Sequence, residues 1–176
     1  AQTPPAVFLR LVGEVAAGTA TPVMLAALLL HPMMRAGMAR GRHLALARAY
    51  ELAALRRPLD ALAPGQLPDW PKPEPAPEGA AEWRAGIEAA LAPLSDALRR
   101  GAPLAELAAA HLAAAEALSR AGPDEVPALV SGTDGAAVHR LMTGLIKAAD
   151  AHGPGALPGY AALIQTLLSG QEVRPD

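Results

Sequence analysis

The chain has 176 residues, with aromatic residues at 3% and no cysteine. It is long enough to bury a core as one domain, and its scarcity of β-branched and aromatic residues disfavours strands, so the expected class is all-α. The missing cysteines exclude disulfides, thiolate metal sites and cysteine nucleophiles. The net charge of −2 is unevenly spread: up to Arg57, seven arginines (10, 35, 40, 42, 48, 56 and 57) stand against Glu14 and Glu51, a balance of +5, and the remainder carries −7. A basic segment on a near-neutral protein suits phosphate or an acidic neighbouring domain, but without interleaved aromatics to form a stacking platform the plainer reading is solvated arginines on helix ends. Ala1 to Arg10 lack the basic start and apolar run of a secretory signal. The first residue is Ala and the last four are VRPD, which reads as a segment of something longer or a processed product.

Thr3, Pro4 and Pro5 open a first helix in which Phe8, Leu11, Val12 and Val15 form one apolar stripe, with a stop near Gly18. Thr21 then caps a second helix with Pro22 in its first position. From Val23 to Leu30 every residue is apolar, so this helix is expected to have no solvent face, to be the hub of the core, and to stop at Pro32. It is too short to cross a bilayer, which takes about 20 apolar residues. A glycine-bearing turn from Met34 to Gly41 leads to a helix over Arg42 to Arg57, whose arginines spread around about half the circumference. Pro58 to Leu62 suits one more helical turn. From Ala63 to Gly79 the proline spacing forbids helix and suits an extended spacer, with Trp70 pinning it to the helices and keeping its indole N–H near water.

Glu82 to Arg100 carries Trp83, Ile87, Leu91, Leu94 and Leu98 at helical steps, with Pro93 expected to bend it. Pro103 restarts the chain, and Leu104, Leu107, His111, Leu112, Ala115 and Leu118 make the next stripe up to Gly122. Pro123 to Val130 is turn-rich, with at most a short helix. Thr133 or Asp134 is the expected cap of a helix bearing Val138, Leu141, Met142, Leu145, Ile146 and Ala149 and ending at Gly153; a last helix spans Pro158 to Ser169, with Gly170 as its stop. The expected architecture is an irregular orthogonal bundle of about six to eight helices with a proline-rich excursion. It forms a single helical subdomain over 1–176, with helices in 1–62, a linker or loop over 63–79, helices in 80–170 and an extended exit over 171–176.

Residues with chemistry are few. Lys72 and Lys147 are the only lysines and neither follows a glycine-rich turn, so no phosphate-binding loop is present. His31, His43, His111, His139 and His152 form no HExxH and no pair one turn apart. His111, on an apolar stripe, reads as a hydrogen-bonded core histidine, and His31 as an imidazolium favoured by a helix C-terminus. Ser131 and Ser169 sit in no GxSxG, and Glu82, Glu88, Asp96, Glu106 and Glu116 fall on solvent faces. Catalytic, cofactor-binding and metal-binding residues are all expected to be none.

Five phrases in order, TPPAVFLRLV, TPVMLAALLLHPMM, RGRHLALARAYEL, ALVSGTDGAAVHRLMTGLI and LPGYAALIQTLLSGQEVRP, resemble the AddB-type subunit of alphaproteobacterial double-strand-break repair helicase–nucleases. The resemblance covers almost the whole chain, most loosely in the proline tract. It departs from the family pattern at Leu30, where the family has a lysine before HP, and between Gly132 and Gly135, where the family has an acidic residue and this chain has Thr133 and then Asp134. It implies an internal helical subdomain of the N-terminal, helicase-like half, with nuclease and iron–sulfur cluster lying elsewhere in the parent. It also implies duplex DNA and an AddA-like helicase–nuclease subunit as partners through that parent, a cytoplasmic location, no membrane and no small-molecule substrate. Arg35, Arg40, Arg42 and Arg48 are the candidate contacts to DNA or partner. The alternative is a stand-alone helical protein–protein interaction module; a ligand-sensing regulator fits least, since no helix-turn-helix precedes a ligand bundle.

Overall fold

A computed structural model describes residues 2–152 and 159–169 of the chain. Among them are seven α-helices: α1 (Pro4–Ala17), α2 (Pro22–Leu29), α3 (Arg40–Tyr50), α4 (Ala80–Arg99), α5 (Leu104–Leu118), α6 (Gly132–His152) and α7 (Tyr160–Ser169). A π-helical turn, Glu51–Leu55, continues α3, and a 3-10 turn, Ala128–Val130, precedes α6. No strand occurs among the described residues, so the all-α expectation holds. The expected stops at Gly153 and Gly170 and the extended exit over 171–176 lie outside the described residues.

The centre of the core is α1. Proline in its first turn removes an N–H that would have no partner, and at the other end Gly18 adopts φ 75° while Thr19 N–H bonds Glu14 O at 3.1 Å, closing the helix. Between Pro5 and Gly18 no residue is exposed. Helices α2, α4, α5, α6 and α7 and the 3-10 turn all pack against it. One hydrophobic cluster runs from Ala6 through Trp83, Ile87, Leu91 and Leu112 to Ile164 and Leu168.

The second helix is not the hub. Its start is as expected, with Thr21 Oγ1 accepting from Met24 N–H at 3.2 Å. But only Leu25, Leu28 and Leu29 are fully buried in it, while Val23 and Ala27 are exposed. The helix lies at the edge, against α1 on one side and α3 with its π turn on another. It also ends at Leu29, ahead of Pro32, because a proline ring clashes with helical backbone before it.

Smaller differences follow the same logic of neighbours overriding local pattern. Helix α3 starts two residues before Arg42, and Pro58 to Leu62 form no helical turn. The proline tract is nonhelical but is not a free spacer: Leu67 is buried in it and Leu62 just ahead of it, Gly65 N–H bonds Val15 O at 2.9 Å, and Leu67 N–H bonds a Glu88 carboxylate oxygen at 2.9 Å. Glu88 is therefore half-buried and not on a solvent face as expected, and Glu116 is half-buried as well, 3.4 Å from His139 Nε2, whereas Glu82, Asp96 and Glu106 are exposed. Trp70 does pin the tract, its ring 5.8 Å from that of Tyr50, but its Nε1 is buried with no hydrogen-bond partner and not near water as expected. Packing on Tyr50 takes the polar edge out of solvent along with the ring. Helix α4 continues through the exposed Pro93. Helix α5 ends at Leu118, short of Gly122.

Helix α6 begins at Gly132, so neither Thr133 nor Asp134 is its cap; Asp134 lies in the first turn, where a carboxylate complements the helix dipole. The glycine that matters there is Gly135, packed so closely on the 3-10 turn that a Cβ would lie 2.4 Å from Leu129 O and 2.8 Å from Val130 C. Both are backbone atoms, which cannot rotate away. Gly144, on the same helix, meets nothing within 4 Å. In urea titrations Gly135→Ala is expected to lose about 2 kcal/mol or more through overpacking, whereas Gly144→Ala gains about 0.5–1 kcal/mol from helix propensity. Equal midpoints for the two variants would contradict this packing.

Candidate functional site

Among the described residues, the buried polar side chains are those of His31, His43, His111 and Ser119. His111, on α5, is 1% exposed. Its Nε2 lies 2.7 Å from Leu9 O in α1 and its Nδ1 2.9 Å from the Tyr160 hydroxyl in α7. A carbonyl only accepts, so Nε2 carries the proton and donates, leaving Nδ1 to accept from the Tyr160 O–H. The ring is thus neutral and joins three helices. Burial pushes its pKa down to about 4, with the Leu9 carbonyl pulling the other way, and burial also pushes the Tyr160 hydroxyl upward. The approach to α1 is possible because residue 13 is glycine: a Cβ there would stand 3.1 Å from His111 Cε1 and 3.3 Å from Nε2. A mid-helix glycine, about 1 kcal/mol worse than alanine, was the sequence signal for such a contact. The cavity beside this pair, lined by Arg10, Glu14, His111 and Tyr160 among others, measures about 20 Å³, which suits about one water molecule and no substrate. His111 is a core histidine, as its place on an apolar stripe suggested.

His43, which sequence reasoning left without a role, is fully buried between α2 and α4. Its Nε2 donates to Leu29 O at 2.7 Å and its Nδ1 accepts from Trp83 Nε1–H at 3.0 Å. His31 packs against Phe8, with ring centroids 5.1 Å apart, and its Nδ1 accepts from Met33 N–H at 3.2 Å. Burial first, and then the charge of Arg40, lowers its pKa. The expected imidazolium at a helix C-terminus is therefore overturned: His31 is held neutral, and another cation occupies the position.

That cation is Arg40. Its Nη1 donates to His31 O at 2.9 Å and Met34 O at 3.1 Å, and its Nη2 to Leu30 O at 3.3 Å, so the guanidinium caps the C-terminal end of α2. Arg35 Nη1 donates to Pro32 O at 2.7 Å and to the same Met34 O at 3.0 Å. Two guanidiniums therefore converge on one carbonyl. Burial lowers the Arg40 pKa most, followed by the charges of Arg35 and Arg48, so three of the four candidate arginines share one neighbourhood. Arg42 does not join them: it lies about 200° around α3 from Arg40, with its Nη2 3.2 Å from where a Gly79 Cβ would be. Among the described residues none of these four forms an ion pair, whereas Arg56, Arg57, Arg84, Arg99 and Arg100 each pair with a carboxylate, of Glu51, Glu74, Asp69, Asp96 and Glu106 respectively.

Among the described residues no three of His, Cys, Asp and Glu are grouped to hold a metal ion, and no helix is long and apolar enough to cross a membrane. The chain matches no protein-family model, no curated protein and no solved structure.

Two outcomes follow from the histidines. The His111 pKa is depressed on folding, so above about pH 6.5 the group is neutral in both states. As pH falls below that, the unfolded chain takes up a proton the native state refuses, and stability drops until about pH 4. The loss over this window is about 3 kcal/mol, read as a falling urea midpoint; a midpoint flat between these pH values would contradict the buried neutral ring. Second, Gly13→Ala destabilises by about 1 kcal/mol despite its better helix propensity, but stabilises by a similar amount in a His111→Ala background. Additivity in that double-mutant cycle would rule out the close approach of Gly13 and His111.

Proposed function

We propose that this chain is a non-catalytic helical subdomain of an AddB-type subunit of a double-strand-break repair helicase–nuclease. The observation that carries the reading is the order of the five phrases from TPPAVFLRLV to LPGYAALIQTLLSGQEVRP. In that parent, a cytoplasmic machine, it scaffolds the inactive helicase-like core and offers a contact surface to duplex DNA or to the AddA-like subunit. It holds no catalytic residue, cofactor or metal of its own. The corner where Arg35, Arg40 and Arg48 gather without carboxylates supports the contact role. The engagement of His31, His43 and His111 in the core is in keeping with a scaffold. The second reading, a stand-alone helical protein–protein interaction module, is favoured by the exposed apolar Val23 and Leu52.

The coding sequence on either side separates the two: an ATPase-like motif upstream and a RecA-like strand after VRPD belong to the first reading, and a gene confined to this chain to the second. For DNA binding, Arg35→Ala with Arg48→Ala in the full complex is expected to flatten the slope of log affinity against log salt by about 0.9 for each phosphate that is no longer neutralised. Arg40 is left intact because it caps α2. An unchanged slope in a filter-binding titration would remove the DNA-binding part.

A further inference from the structure

Helix α2 is apolar from Val23 to Leu30, and a helix apolar on all sides is expected to be covered on all sides. It is not. Val23 is 78% exposed, Ala27 is exposed one turn further, and Met24, Ala26 and Leu30 are half-buried. Helix α3 runs back along α2: Arg40 reaches the carbonyls of Leu30 and His31, His43 that of Leu29, and the π turn packs on the same helix. The outward side of this second element carries Ala45, Arg48 and Leu52, the last 56% exposed. Val23 and Leu52 are two of the three large hydrophobic residues exposed among those described. The paired elements thus leave apolar residues uncovered, Val23 and Ala27 on α2 and Ala45 and Leu52 on α3 and its π turn, with Arg48 one turn from Leu52 and Arg35 and Arg40 at the α2 C-terminal end. The charges felt by Arg40 and by His43 are all arginines, and Glu51, the nearest carboxylate in sequence, is held by Arg56.

We propose that the α2–α3 face docks an acidic amphipathic helix of another polypeptide, its apolar side against Val23, Ala27 and Leu52 and its carboxylates on Arg48, Arg35 and Arg40. This rests on the reading of the corner as a contact surface and names which of its two partners it takes. Apolar residues mixed with arginine are the composition of a protein interface, whereas a duplex backbone is met by charge and hydrogen bonds and gives Val23 and Leu52 nothing to pack on. Each guanidinium has five N–H groups in a fork suited to carboxylates, and the α2 carbonyls use only some of them.

The test uses the full chain and two synthetic helical peptides, one with leucines on one side flanked by glutamates and the other with lysines replacing the glutamates, alongside a short DNA duplex. Fluorescence anisotropy is expected to show the glutamate peptide binding more tightly than the lysine peptide. Val23→Ser with Leu52→Ser weakens it about ten-fold without altering duplex binding, about 1.4 kcal/mol. Arg48→Glu, at an exposed side chain, weakens it at least as much and moves the preference to the lysine peptide. No preference between the peptides, or a preference that survives in the Val23/Leu52 variant, overturns the proposal. Arginine-dependent duplex binding without a peptide preference leaves the DNA reading standing and removes this inference. A peptide preference in a chain whose flanking sequence lacks the helicase motifs removes the parent assignment and keeps the docking face.

Discussion

The fold depends on the enclosure of α1, in which no residue from Pro5 to Gly18 is exposed. Such a helix must be met around most of its circumference by other chain, and where the neighbour is an imidazole instead of an aliphatic side chain, the approach needs both room and a polar partner. Gly13 gives the room and the Leu9 carbonyl the partner. A carbonyl has two lone pairs, so Leu9 O accepts from His111 without giving up its place in the helix. His111 then turns its other nitrogen to Tyr160, and a contact between α5 and α1 also fixes the start of α7. His43 repeats the device between Leu29 O and the Trp83 indole, joining α2 and α4 through α3. In both cases a neutral ring gives a buried donor, the Tyr160 hydroxyl or the Trp83 indole N–H, an acceptor within the core, where an unsatisfied group costs about 1–3 kcal/mol.

The long helices were legible because their stripes are periodic. Phe8, Leu11, Val12 and Val15 are buried in α1, and Trp83, Ile87, Leu91 and Leu94 in α4, where the spacing put them. The hub was not legible, for a specific reason. A run of eight apolar residues, Val23 to Leu30, has no period, since periodicity needs polar residues to mark the other side. Such a run says that burial is favourable without saying what does the burying. In α1 the arginine and glutamate at positions 10 and 14 disguised a more enclosed helix. Composition likewise identified the proline tract as nonhelical but could not show that Leu62 and Leu67 enter the core, because that depends on Tyr50, Val15 and Glu88 reaching it from three elements.

Of the candidate surface, the sequence located the arginines but not their grouping. Helical phase separates Arg42 from Arg40, yet what brings Arg35 to Arg40 is the turn after α2, where both side chains find the same Met34 carbonyl. His31 has the structural role expected of it but not the charge: a helix C-terminus does attract a cation, and Arg40, nine residues later in the chain, reaches it while the imidazole is buried against Phe8.

Two sets of arginines therefore differ in kind. Arg56, Arg57, Arg84, Arg99 and Arg100 are paired with carboxylates, Arg99 with Asp96 within one helical turn, and exposed pairs of this kind add little to stability. At the α2–α3 corner Arg35 and Arg40 are held by backbone carbonyls instead, which satisfies hydrogen bonds while leaving the full charge in place. A lysine at position 40 would offer one point of donation where the guanidinium spans Leu30, His31 and Met34. Capping α2 with arginine thus fixes two cations at the end of an apolar helix whose outer side is bare. The same geometry that completes the helix inside the fold prepares its outer face for a partner carrying the opposite charge.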